Sequence, residues 1–230
     1  MFTDLSQTPL AGEAVAKLQK LARSDPVGNR FLESLRENRA TTENFRRLVG
    51  VTHKCHPAEI TGFATVMSRF PSEQNVAFLC DMVRLVNRAR PKLRRLIEAS
   101  GMTEEDVRNW PPDHLAYEVP GFWERAALLG NQSQTALALY WDMVNYFPDS
   151  DEMLRLLEES SLEVIEEVAW YYGGGQSDEL ELQALLAAEE GLARGEPVDE
   201  AVIAARRMEE AIAAYWYAAA RSADDSESDS

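Results

Sequence analysis

Apolar residues recur along the chain at three- and four-residue intervals, and they never alternate one-in-two as a half-buried strand requires. Proline, glycine and short polar caps divide this pattern into segments. Residues 8–23 predict a first helix, with Thr8 as N-cap and Pro9 at the first helical position, where a missing amide hydrogen costs nothing. Asp25-Pro26 marks a second start, followed by Val27, Phe31, Leu32 and Leu35 at helical spacing. Thr42 is expected to cap a third segment, with Glu43 in its first turn and Phe45, Leu48, Val49 and Val51 on its apolar face. That segment runs into His53-Lys54-Cys55-His56-Pro57, where Pro57 is expected to kink or break the helix. The apolar pattern resumes through Ile60, Phe63, Ala64 and Met67 and stops near Phe70-Pro71.

Residues 72–97 predict a long helix, with Pro91 as a kink point and Gly101 as its stop. Residues 102–122 are rich in turn formers, among them Pro111, Pro112, Pro120 and Gly121. Helices follow over 122–129 and over 133–147, the latter ending before Pro148. Another starts at Asp149 or Ser150 and runs through Leu154, Leu157, Val164, Ile165 and Val168 to Tyr172. Gly173-Gly174-Gly175 is a break, Ser177-Asp178 caps a helix over 179–193, and the last helix covers 198–221. The pattern predicts an all-α fold, a single-domain bundle of roughly seven to nine helices over residues 1–221. The remainder, 222–230, contains only Ser, Ala, Asp and Glu and is expected to be a disordered acidic tail.

Charge narrows the range of partners. The net charge of −16 is the sum of +3 over residues 1–115 (17 Lys/Arg against 14 Asp/Glu) and −19 over 116–230 (6 against 25). An acidic domain without a basic footprint is not built for nucleic acid. No apolar run approaches the length of a membrane span, and Met1-Phe2-Thr3-Asp4 lacks the basic start of a secretory leader. With only Cys55 and Cys80 as thiols, the expectation is a cytoplasmic protein without membrane association.

The chain has three histidines, too few for a histidine-rich metal centre. His53-x-x-His56-x-x-Glu59 is the best metal cluster the sequence offers, if a distant carboxylate completes a non-heme iron or zinc site. The plainer reading is a polar kink at Pro57. Arg84 and Arg88 share a helix face one turn beyond Asp81 and suit a carboxylate or phosphate if that face points inward. If it points outward, they are solvated. Among the aromatic residues, Trp123, Tyr140 and Tyr172 are candidate walls of a small-molecule pocket. His53, His56 and His114 are the candidates for moving protons near neutral pH.

The order of these elements resembles the heme-oxygenase-like superfamily. Asp25-Pro26-Val27 with Phe31-Leu32 and Leu35, then Thr42 with Asn44-Phe45, is similar to the opening of its thiaminase II and pyrroloquinoline-quinone synthase C branches. Ala213-Ala214-Tyr215-Trp216 resembles their C-terminal aromatic pair. Gly101-Met102, Pro111-Pro112 and Leu128-Leu129-Gly130 resemble the middle of the iron-dependent oxidases. The resemblance implies a heme-oxygenase-like bundle, often homo-oligomeric. It also implies a small-molecule enzyme of cofactor or secondary metabolism, with oxidative chemistry on an anionic substrate.

The chain departs from that pattern at chemical positions. Ile212 stands where thiaminases carry a catalytic glutamate, and residues 116–230 hold no cysteine to act as their nucleophile. The oxidases' late D-x-x-x-H reads Asp178 to Leu182, with Glu181 alongside, and their earlier E-x-x-H falls where Asp81, Arg84 and Arg88 stand. Residues 1–52 hold no histidine to ligate heme, so heme is not expected. Iron, if used, would rest on His56, Glu59 and Asp178 or Glu181. The competing expectations are a metal-free pocket with Arg84 and Arg88 on the substrate, and a non-catalytic binding or partner protein that kept the bundle and lost its ligands. A third is a helical scaffold whose acidic half docks a basic partner.

Overall fold

The computed structural model describes residues 7–160, 162 and 165–221, and the expected tail, 222–230, lies outside the described residues. Ten α-helices occur among them: α1 (Pro9–Ser24), α2 (Arg30–Arg36), α3 (Thr42–Arg69), α4 (Glu73–Ala99), α5 (Glu104–Asn109), α6 (Glu118–Leu129), α7 (Gln132–Glu158), α8 (Glu166–Tyr172), α9 (Asp178–Ala193) and α10 (Val198–Ala220). A 3₁₀ turn, His114–Tyr117, precedes α6. The described residues contain no strand, so the expected all-α class holds. None of these helices is long and apolar enough to cross a membrane.

Pro57, Pro91 and Pro148 all lie inside continuous helices, so the expected helix end before Pro148 does not occur and Pro57 does not break α3. All three are exposed. On the solvent side, water can satisfy the carbonyl that loses its donor. Packing of the flanking turns holds the helix together, as Leu48, Phe63 and Val66 do on either side of Pro57. The predicted helix from 149 or 150 to Tyr172 is instead the end of α7 followed by a separate α8. Ser160 stops α7, its hydroxyl donating to the Leu157 carbonyl and accepting from the Leu162 amide.

The N-caps also refine the expectation. Thr41, not Thr42, caps α3, in a capping box with Asn44. Thr8 precedes α1 but makes no capping hydrogen bond with its side chain. Asn44 does more than close its box. Its Nδ2 reaches the carbonyls of Ala219, Ala220 and Arg221 at 3.0, 3.1 and 3.2 Å, while Arg47 Nε donates to Ala218 at 2.8 Å. The start of α3 thereby satisfies the last carbonyls of α10, which no later turn can reach.

Small side chains set the closest approaches. Ala136 and Ala138 of α7, Ala184, Ala187 and Ala188 of α9, and Ala201 and Ala205 of α10 are buried, and α7 packs chiefly on α10 and α9. Gly50 of α3 lies against the Trp110-Pro111 segment, where a Cβ would stand 2.6 Å from the Trp110 carbonyl oxygen. Gly50→Ala is expected to force these two backbones apart and cost about 1–3 kcal/mol. Thermal melting checks this, since an unchanged Tm would mean the contact yields freely.

Candidate functional site

One stripe of α3 faces an internal hollow. Thr52, Cys55, His56, Glu59 and Phe63 recur at helical spacing, and each lines a cavity of about 360 Å3. Opposite, α7 contributes Asp142, Met143, Tyr146 and Phe147, and α10 contributes Met208, Ile212 and Tyr215. Along α4, Met82, Leu85 and Val86 form an apolar wall that passes into Arg88 and Lys92. Tyr171, Tyr172 and Gly173–Gly175 close the remaining side. Glycine is needed at 175, because a Cβ there would stand 2.2 Å from the Phe147 ring, and Gly174 has a φ of 72° that favours glycine. A volume of this size lies in the range of small-molecule sites.

The lining has three polar groups of different character. The first is a hydroxyl cluster. Thr52 Oγ1 donates to the Leu48 carbonyl at 2.7 Å and accepts from Tyr172 OH at 2.8 Å and Tyr215 OH at 2.7 Å. Burial holds the Tyr172 hydroxyl above its ordinary range, and it pushes Tyr146, Tyr171 and Tyr215 up as well. These hydroxyls stay protonated and serve as donors. The second group is His56, whose Nε2 lies 2.7 Å from Tyr171 OH. Burial, with the charges of His53 and Arg90, lowers His56 to about 4, so the ring is neutral at physiological pH.

Two carboxyls make the third group. Burial, and then the charge of Asp142, raises Glu59 to about 8, and burial raises Asp142 to about 7. Both keep partial exposure, and both line the cavity, so the open part of each side chain faces the hollow while protein surrounds the rest. An acid whose proton affinity sits near neutrality can both give and take a proton at neutral pH. Cys55 is a poor nucleophile by contrast, because burial raises its thiol well above the ordinary range and its Sγ points to the Val51 carbonyl.

The structure sorts the residues expected from sequence. His56, Glu59, Arg88 and Tyr172 meet at this cavity. Arg84 does not: it is exposed and pairs with Asp81 on its own helix. His53, beside the stripe, does not line the cavity and lies 3.1 Å from Glu104 of α5. His114 sits in the 3₁₀ turn with its side chain 74% exposed. Trp123 is a core residue, packed on Phe63 and Phe122 with ring centroids 4.9 and 5.1 Å apart. Tyr140 is buried beside Glu181, away from the cavity lining.

Asp178 is exposed at the start of α9, and Glu181 is buried one turn later, with burial and Asp178 raising its carboxyl. Neither lines the cavity. The four residues expected to hold iron therefore do not converge. Among the described residues, no group of three or more His, Cys, Asp and Glu side chains is placed to hold a metal ion. The donor set does not fit an iron centre.

Asp142 is the residue the sequence reading missed. Its signal was there: it is the lone acid in the apolar run Ala136–Val144, on the face that also carries Tyr146. No family model matches the chain, and a search of curated proteins finds no match.

Proposed function

We propose that this chain is a small-molecule enzyme with a heme-oxygenase-like bundle, and that Glu59 and Asp142 transfer protons to and from a substrate enclosed in the cavity. The observation that supports this is the pair itself: two carboxyls facing one hollow, both raised toward neutrality by burial. Holding such groups in an apolar interior is costly, and acid–base function is a common reason for it. Arg88, exposed on the α4 edge of the cavity, suits an anionic group on the substrate. The Tyr146 hydroxyl, which lines the same cavity, would orient the reacting end. Proton transfer is the chemistry these side chains would contribute to the substrate, whatever its class.

The test uses a pool of small cellular metabolites, followed by mass spectrometry before and after incubation with the protein. An anionic metabolite should be consumed, and Glu59→Gln and Asp142→Asn should each slow its consumption by about a hundredfold or more. Retention of full turnover by both variants would sink the proposal. A binding protein without turnover is the second reading. The closed hydroxyl cluster favours it, since Thr52, Tyr172 and Tyr215 already satisfy one another. Under that reading a metabolite co-purifies with the protein and leaves unchanged.

A further inference from the structure

The cavity is divided in charge. Among the described residues, no hydrogen bond or ion pair reaches Glu59 or Asp142, and no cation offsets the burial of either. His56 beside them is 7% exposed, and its Nδ1 has no partner. At the α4 edge the imbalance is reversed. Asp81 takes Arg84, and the Trp170 carbonyl takes Lys92 at 2.9 Å, while Arg88 has no acidic partner among the described residues. The same lining also carries apolar and aromatic side chains, among them Met82, Val86, Ile212 and Phe147.

Buried carboxyls without donors and an uncommitted arginine are complementary to one ligand rather than to each other. We propose that the cavity takes a zwitterion with its charges at opposite ends, an ammonium seated between Glu59 and Asp142 and a carboxylate held at the mouth by Arg88. An ammonium brings the three donors that the two carboxyls lack. The faces of Tyr146 and Phe147 add a favourable quadrupole around the cation. The apolar lining matches a methylene or ring spacer. The arginine fork binds the carboxylate in two-point geometry. This inference rests on the enzyme reading for the location of the site, and it names the substrate class.

Isothermal titration of the full chain with 6-aminohexanoate, hexylamine and hexanoate tests it at neutral pH. The zwitterion should bind, and each half-ligand should bind about tenfold or more weakly. Binding should also release protons, because the incoming ammonium favours the ionised carboxyls; buffers of different ionisation heat read that release directly. Glu59→Gln and Asp142→Asn should abolish proton release and remove the preference for 6-aminohexanoate over hexanoate. Arg88→Gln should weaken the zwitterion by about fivefold, a smaller loss because Arg88 is exposed to solvent. Equal binding of hexanoate, absence of proton release, or no binding by any of the three overturns the inference. The wild-type comparison alone is sufficient if a variant fails to fold. Should the zwitterion be indifferent while both carboxyl variants still lose turnover, the acid–base reading stands and only the substrate class falls.

Discussion

Raising the pH from about 5 to about 8 is expected to destabilise the protein by roughly 2–4 kcal/mol, a drop in Tm of about 5–15 °C. The sign follows from the cavity acids. Folding raises Glu59 from 4.5 to about 8 and Asp142 from 3.8 to about 7. Between those limits the folded chain binds more protons than the unfolded one, so stability is greatest at the acidic side and falls as pH rises through the folded values. His56 works the other way, because folding lowers it from 6.5 to about 4 and stability gains with pH in that interval. Lys54, lowered from 10.5 to about 8 by burial, adds stability only above that pH. Two acids against one histidine leave a net loss over the window. In the Glu59→Gln/Asp142→Asn double variant most of this fall should be lost, since His56 and Lys54 then oppose only the raised acids Glu181 and Asp149. Calorimetric or circular-dichroism melts across this range decide it, and a wild-type Tm that climbs with pH would show that neither acid is protonated in the fold.

Asp113→Ala is expected to cost about 3–5 kcal/mol, the penalty for removing one partner from a buried ion pair. Asp113 Oδ2 lies 3.3 Å from Arg47 and 3.1 Å from Arg221, and all three side chains are almost fully buried. Its other oxygen accepts from the Leu115 amide at 3.1 Å and starts the 3₁₀ turn. This single carboxylate therefore joins α3, the segment before α6 and the end of α10. Taking it away leaves two guanidinium groups in a region of low polarity. Asp113→Asn should recover the turn hydrogen bond but not the charge, and should fall between wild type and alanine in denaturant midpoint. An alanine variant within about 1 kcal/mol of wild type would show that water or another carboxylate already serves the two arginines.

Much of the architecture was legible because helix signals are local. Apolar spacing located α3, α4, α9 and α10 to within a few residues, and Ser177 and Pro197 marked the starts of the last two. The misreadings were also local rules overruled by packing. Proline was expected to kink or break α3 and to end the helix before Pro148 on its intrinsic preference, yet an exposed proline between two well-packed stretches leaves each helix continuous. Asp113 read as part of a turn and His114 as a candidate base, and the structure makes the first a buried anchor and leaves the second in solvent.

By itself the sequence determined the helical class, most helix limits, the absence of a membrane-length apolar helix and the placement of His56 and Glu59 on one turn of a single helix. Those features depend on residues within a few positions of each other. Only the tertiary structure decided which faces meet. It brought Asp142 of α7 to Glu59 of α3, separated Arg88 from Arg84, and put Asp178 and Glu181 away from the cavity. A carboxyl's proton affinity depends on what is packed around it from distant parts of the chain. The chemistry of this cavity therefore becomes visible only when α3, α4, α7, α8 and α10 are in place.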